Sequence, residues 1–131
     1  MLLETAAARY QTVQVSTSNP GEILVSLLDG LFKNLSLARQ LMRNRARAPA
    51  GEALCRAHAI LSELYVCLDH TQAPELCRNL EGVYGFCLRR IVEANLRNDP
   101  SALDEVIRVL TPVREAFTIA VQSQSQEQRG K

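Results

Sequence analysis

The sequence predicts an all-α fold: an antiparallel up-down four-helix bundle with an N-terminal extension packing on it. Three observations carry this. Apolar residues recur at alternating spacings of three and four in four separate stretches, the signature of one helical face. Short segments rich in Pro, Gly, Asn and Asp separate those stretches. No segment alternates apolar and polar residues with period two over useful length. Helices joined by short connections pack as antiparallel neighbours around one core.

The first helix opens at Asn19-Pro20-Gly21-Glu22. Asn19 suits the N-cap because its side-chain oxygen accepts an otherwise orphaned backbone N–H. Pro20 loses nothing at the first helical position, and Glu22 completes a variant of the capping box. Leu24, Leu28, Leu31, Leu35, Ala38 and Met42 form the core face. The helix is expected to run into a basic stretch and stop before Ala48-Pro49-Ala50-Gly51, read as a linker. The second helix presents Leu54, Ala57, Leu61, Leu64 and Leu68, ending near His70-Thr71-Gln72. Pro74 opens the third, with Leu76, Leu80, Val83, Cys87, Ile91 and Ala94 in register. Asn98-Asp99-Pro100-Ser101 ends it and starts the fourth, with Asp99 or Ser101 as cap. Leu103, Val106, Leu110, Val113, Phe117 and Ala120 line that last helix before a polar Gln/Ser tail. The organisation expected is an extension over 1–18, a bundle over 19–122 and a disordered tail over 123–131.

A chain of 131 residues with 47% hydrophobic content reads as one domain with a real core. Its net charge of +1 argues against a general nucleic-acid binder. Arg39, Arg43, Arg45 and Arg47 cluster, but at the end of a predicted helix, where cations complement the helix dipole. The N-terminus lacks a basic n-region and a long apolar run, and no segment is apolar enough to span a bilayer. A soluble cytoplasmic protein without stable membrane insertion is expected. Cys55, Cys67, Cys77 and Cys87 fall within predicted helices without C-x-x-C spacing and read as small buried hydrophobes. The pairs Cys55-x-x-His58 and Cys67-x-x-His70 lie about 18 Å apart along one helix and cannot share a metal. No Gly-rich phosphate loop, nucleophile elbow or pair of E-x-x-H motifs is present. The expectation is a protein that is not an enzyme and needs no cofactor.

One feature of the first helix points elsewhere. Asp29-Gly30 is a turn dipeptide in the middle of a strong helical pattern. Gly30 falls about 120° from the centre of the core stripe. Ile23, Leu27, Gly30, Asn34, Leu37 and Leu41 make a second row there, with a notch at the glycine. Either a neighbouring helix approaches closely at the notch, or the flank receives a partner. Phe32, Val66, Phe86, Val92, Leu96, Val109 and Ile119 also lie outside the core stripes, and surplus apolar surface marks an interaction site. Leu2, Leu3, Tyr10, Val13 and Val15 make the extension apolar enough to cover part of it. Arg89, Arg90, Asn95 and Asp104 read as an interhelical hydrogen-bonding set at one end of the bundle.

These residues resemble a family. Tyr10-Gln11, then Val15, Thr17, Pro20, Glu22 and Leu27-Leu28-Asp29-Gly30, are similar to the opening of the FliS-type flagellin export chaperones. The likeness continues through Ala59-Ile60-Leu61-Ser62-Glu63-Leu64, Leu68-Asp69, Asn79-Leu80, Tyr84, Arg89-Arg90-Ile91 and Ala94-Asn95. It closes with Leu103-Asp104-Glu105-Val106 and Arg114-Glu115-Ala116-Phe117. Leu28 stands where the family often has Tyr, and Phe117 where it often has Trp. The resemblance implies a cytosolic helical bundle that binds the disordered C-terminal segment of flagellin. Such a chaperone prevents early polymerisation and helps deliver flagellin to an export-gate component of the flagellar secretion system. Taken with the second apolar row, it makes Tyr10, Gln11, Ile23, Leu27, Gly30, Leu37, Phe86, Arg90 and Asn95 the expected partner-binding residues. The alternative is a bundle that associates with itself as a scaffold or regulator, without a secretion client.

Overall fold

The computed structural model of the chain describes residues 20–129. The expected extension, with Tyr10, Gln11 and the Asn19 cap, lies outside the described residues. Four helices follow in order: α1, Pro20–Arg43; α2, Arg47–Val66; α3, Pro74–Arg97; and α4, Pro100–Arg129. Each packs on its sequence neighbours, and α1 also packs on α4, closing a square. The expected four-helix architecture is observed. Connected helices alternate in direction, so the α1–α2 and α3–α4 turns lie at one end, here called the tip. The starts of α1 and α3 and the end of α2 lie at the other end, the mouth.

The tip turns are tight and end their helices in left-handed caps. Arg45 has φ +60°, and its N–H donates to the Met42 carbonyl at 3.0 Å. The Ala46 N–H reaches back to Leu41 at 2.8 Å, completing a Schellman motif. Asn98 repeats the conformation after α3 with φ +51°, and the Asp99 N–H bonds the Ala94 carbonyl at 3.0 Å. Asp99 then caps α4: its Oδ1 accepts from the Ser101 N–H at 3.0 Å and from the Ser101 hydroxyl at 2.6 Å. Those hydrogen bonds, the Ser101 hydroxyl's foremost, hold the Asp99 carboxyl below its ordinary value.

Two expected boundaries differ. Ala48-Pro49-Ala50-Gly51 is not a linker but the first turn of α2. Proline is tolerated there because first-turn N–H groups have no helical partner. The tail also differs, for α4 continues to Arg129. Gln and Glu are good helix formers, and no Gly or Pro interrupts 123–129.

The core stripes are largely as expected, from Leu28, Leu31 and Leu35 through Leu61, Cys87 and Ile91 to Leu103, Val106 and Leu110, all buried. The buried face of α1 is wider than the stripe, taking in Ile23, Leu27 and Phe32. Phe32 was expected outside; it packs inward, with the Arg114 guanidinium 4.7 Å from its ring centroid. Phe86 and Val109 are half-buried against the core rather than free, whereas Val66, Val92, Leu96 and Ile119 are exposed as expected. In α3 the stripe turns by one position: Cys77 and Tyr84 are buried, Leu76 is exposed and Val83 half-buried. Cys55 and Cys67, expected inside, are exposed.

Polar groups tie the helices at their flanks. Asp104 on α4 accepts from Arg39 at 2.8 Å and Arg43 at 3.4 Å on α1. Arg90 on α3 bonds Glu105 on α4 and Glu93 on its own helix, each at 2.8 Å. The expected set thus contains Arg90 and Asp104, whereas no hydrogen bond is found for Arg89 or Asn95 side chains among the described residues.

An apolar cavity at the mouth of the bundle

Side-chain size differs along the axis. At the tip the helices meet through alanines, with Ala38, Ala50, Ala53, Ala94 and Ala102 each 1% exposed or less. Close-packed alanines let backbones approach and exclude solvent. Toward the mouth the facing positions hold Leu24, Leu27, Leu64, Leu68, Leu76, Leu80 and Phe117. These larger groups do not meet in the middle. They surround a cavity of about 450 Å³, lined also by Pro20, Ile23, Cys67, Asp69, Cys77 and Tyr84.

The lining is nearly all apolar. Tyr84, 2% exposed, has no side-chain hydrogen bond among the described residues, and burial pushes its phenol up to about 12, with Cys77 and Cys87 adding to the shift. Cys87, one turn deeper, is also pushed up to about 12 by burial, and Glu105 adds to it. Both groups are therefore neutral and act as apolar surface. The rim is fixed by the α2–α3 connection. The Asp69 carboxylate accepts from the Thr71 hydroxyl and from the Thr71 N–H, which lowers its pKa. Its backbone carbonyl accepts from the Cys77 thiol at 3.2 Å. Nearby, the Tyr65 hydroxyl donates to Glu81 at 3.1 Å, and that bond raises the Tyr65 phenol.

Shallower grooves also flank the bundle, two of them notable among the described residues. One, about 590 Å³, lies between α1 and α4 along Val25, Asp29, Phe32, Ile107, Thr111 and Ile119. Arg114 crosses it, bonding Asp29 at 2.6 Å while stacking on Phe32. The other, about 260 Å³, lies between α2 and α3 along Leu54, Cys55, His58, Ile91, Val92, Asn95 and Leu96.

The expected partner-binding residues are dispersed by this geometry. Ile23 and Leu27 line the mouth cavity from buried positions. Asn95 lies in the α2–α3 groove. Gly30 is half-buried within α1, with its carbonyl accepting from the Asn34 amide at 2.8 Å. Asn34 is in turn held by Arg56 of α2 at 2.9 Å. Leu37 is 39% exposed on the outer flank of α1. Phe86 packs half-buried, and Arg90 is committed to its two glutamates. Tyr10 and Gln11 fall outside the described residues. Leu64 and Leu80, read from the sequence as core, are buried and also line the cavity, whereas Leu24, Leu68 and Phe117 are only half-buried at its border and Leu76 is exposed there. For Leu24, Leu68 and Leu76 the available signal was a position at the mouth-end limit of the stripe.

The described residues thus form a square helical bundle, sealed by small side chains at one end and open on an apolar concavity at the other. Among the described residues no helix is long and apolar enough to cross a membrane. A family model described as flagellar protein FliS matches residues 3–124. The chain is 32% identical to the flagellar secretion chaperone FliS of Bacillus subtilis over 130 residues, covering 99% of this chain and 96% of that one. It is 33% identical to the flagellar secretion chaperone FliS of Salmonella typhimurium over 117 residues, 88% of this chain and 87% of the relative. The flagellar secretion chaperone FliSB of Pseudomonas aeruginosa is 34% identical over 116 residues, 86% of this chain and 92% of the relative. The chain belongs to the FliS family of flagellar secretion chaperones.

Proposed function

We propose that this chaperone acts in the cytoplasm on flagellin, holding its disordered C-terminal segment in apolar grooves until delivery to the export gate. The observation that carries this is the open mouth cavity, an apolar concavity bordered by three helix ends and the side of α4. Apolar faces of amphipathic helices dock in such grooves. A client that orders on binding loses conformational entropy, which moderates affinity and keeps release possible. Ile23 and Leu27 serve the client through the cavity wall, and Leu37, Phe86 and Asn95 through the outer flanks. Gly30 and Arg90 keep α1 and α3 in place for those contacts. Residues 1–18, with Tyr10 and Gln11, cover the groove and move aside when client enters.

The test is titration calorimetry with a peptide of the flagellin C-terminal region. Leu24→Asp and Phe117→Asp at the half-buried rim should each abolish binding while helical circular dichroism persists. Binding that survives both substitutions would rule out the mouth as the client site. A stable homo-oligomer that takes no flagellin peptide would favour the self-associating scaffold instead. Hydrogen exchange tests the cover: protection of residues 1–18 should fall on client binding, and unchanged protection would refute it.

A further inference from the structure

The tip carries three exposed arginines, Arg45, Arg47 and Arg97, that have no ion pair among the described residues. Arg45 occupies a left-handed conformation, φ +60°, at the end of α1. The equivalent position after α3 is Asn98, φ +51°, a residue that tolerates this region. Arginine is disfavoured there by its Cβ, as any non-glycine side chain lacking a compensating local hydrogen bond is. Arg47 is the first residue of α2, a helix with no side-chain cap. A cation at that end opposes the helix dipole. Arg97 closes α3. Its position suits the dipole, but like the other two it is exposed and has no ion pair among the described residues. The arginines up to about two turns inward are different, since Arg39, Arg43 and Arg90 are each paired with carboxylates. Two residues that each break a local rule, with no internal compensation, mark a surface kept for something outside the fold.

We propose that Arg45, Arg47 and Arg97 form a docking surface for an acidic segment of a second protein, at the opposite end of the bundle from the mouth. The inference goes beyond the client-binding reading and does not depend on it. Along α1 the two ends are about 36 Å apart, so both can be occupied together. Of the nearby carboxylates, Asp99 is turned to Ser101, Asp104 to Arg39 and Arg43, and Glu93 to Arg90. Glu52 alone remains exposed on α2 and sets the limit of the basic surface. Guanidinium groups take carboxylates in paired, planar hydrogen bonds. Leu96, 72% exposed beside Arg97, adds an apolar contact that a polyphosphate cannot use. Membrane adsorption by charge calls for a cluster of about four to eight basic residues, and nucleic acid for a broadly basic face. With Arg39 and Arg43 already neutralised by Asp104, three free arginines and a net charge of +1 provide neither.

The experiment uses the full chain and a fluorescein-labelled oligoglutamate peptide, followed by anisotropy at low salt. The test variant is Arg45→Gly with Arg47→Gln, which relieves the backbone strain and the dipole conflict and so folds at least as well. Arg78→Gln, on α3 near the mouth, is the control. Wild type and the control should bind alike, and the double variant at least about tenfold more weakly, a difference of about 1.4 kcal/mol. Binding of a flagellin C-terminal peptide should not change. The proposal fails if wild type ignores oligoglutamate, if the double variant binds it equally, or if the control loses as much. Tighter binding to phosphatidylglycerol vesicles or duplex DNA through the same arginines also overturns it, by assigning the tip to a different partner.

Discussion

The two ends of this bundle are built from the same four helices and differ in what fills the space between them. At the tip, alanines face one another and the turns span three residues, 44–46, and two residues, 98–99. Solvent is excluded, and Leu54, Ala94, Ala102 and Leu103 are buried. At the mouth, leucines and Phe117 stand around an opening, and the connection from α2 to α3 runs over seven residues, 67–73. Burial of apolar area is the main stabilising term in both places. The mouth leaves part of that gain unrealised, and a partner supplying an apolar face can realise it. On the proposed function, stability and client binding are thereby separated along the axis of one small domain.

Truncation at each end gives the largest test of this separation. Leu103→Ala, at a fully buried tip position, should cost about 2–5 kcal/mol in denaturant unfolding. Leu76→Ala, 54% exposed at the mouth, should cost less than about 1 kcal/mol while weakening binding of the flagellin peptide. Equal destabilisation by the two would mean the ends are not energetically distinct. Enlargement tests the same contrast in reverse. Ala53→Leu overpacks a position with no exposed surface and should cost about 1–3 kcal/mol. If it is tolerated without loss, the tip is looser than its burial indicates.

The fold was legible in the sequence because its signals are local. Spacing of three and four identifies a helix whatever surrounds it, and Asp99-Pro100-Ser101 is a cap by its own chemistry. The cavity was not legible because it depends on what stands across the bundle from each leucine. Leu28 and Leu76 look alike on a wheel, yet one is sealed and the other is 54% exposed. The α1–α2 boundary was misread for a related reason. Pro49 and Gly51 resemble a linker until Arg45 is seen in the left-handed conformation that ends α1. No sequence rule favours arginine there. Of the expected binding residues, Ile23 and Leu27 reach the cavity because the buried face of α1 is wider than a single stripe, a property set by two neighbouring helices.

A smaller effect is expected where α4 passes the α1–α4 groove. Arg114 is bonded to Asp29 and stacked on Phe32, but it is 39% exposed. Exposed ion pairs and cation–π contacts are each worth up to about 1 kcal/mol. Arg114→Ala should therefore lower stability by about 1 kcal/mol, and Arg114→Lys should recover only part of it. High salt should shrink the ion-pair share. A loss as large as that of Leu103→Ala would show that this flank is part of the core.

The smallest effect compares one device used at both ends. Asp69-His70-Thr71 at the mouth and Asp99-Pro100-Ser101 at the tip each fold a carboxylate back onto the N–H and hydroxyl two residues on. Both carboxyls lie below their ordinary value of 3.8, chiefly because of the hydroxyl hydrogen bond. A depressed carboxyl stabilises the folded state above its unfolded pKa, and the contribution is lost as pH falls through the folded pKa. Asp99 caps α4, so its contribution should register in global unfolding. Asp69 orders an exposed connection, and α3 beyond it starts from Ala73 without a side-chain cap. That connection can open while the bundle stays folded. Asparagine caps about as well as aspartate but does not titrate. Asp99→Asn should thus leave the melting temperature near wild type at neutral pH and flatten its decline in acid. Asp69→Asn should leave the acid decline of global melting as it is and alter only exchange of the Thr71 and Gln72 amides. Melting curves from neutral pH to below about 3 make the comparison. If the two variants flatten the acid limb equally, the mouth connection is as firmly coupled to the bundle as the tip, and the energetic separation of the ends does not extend to their turns.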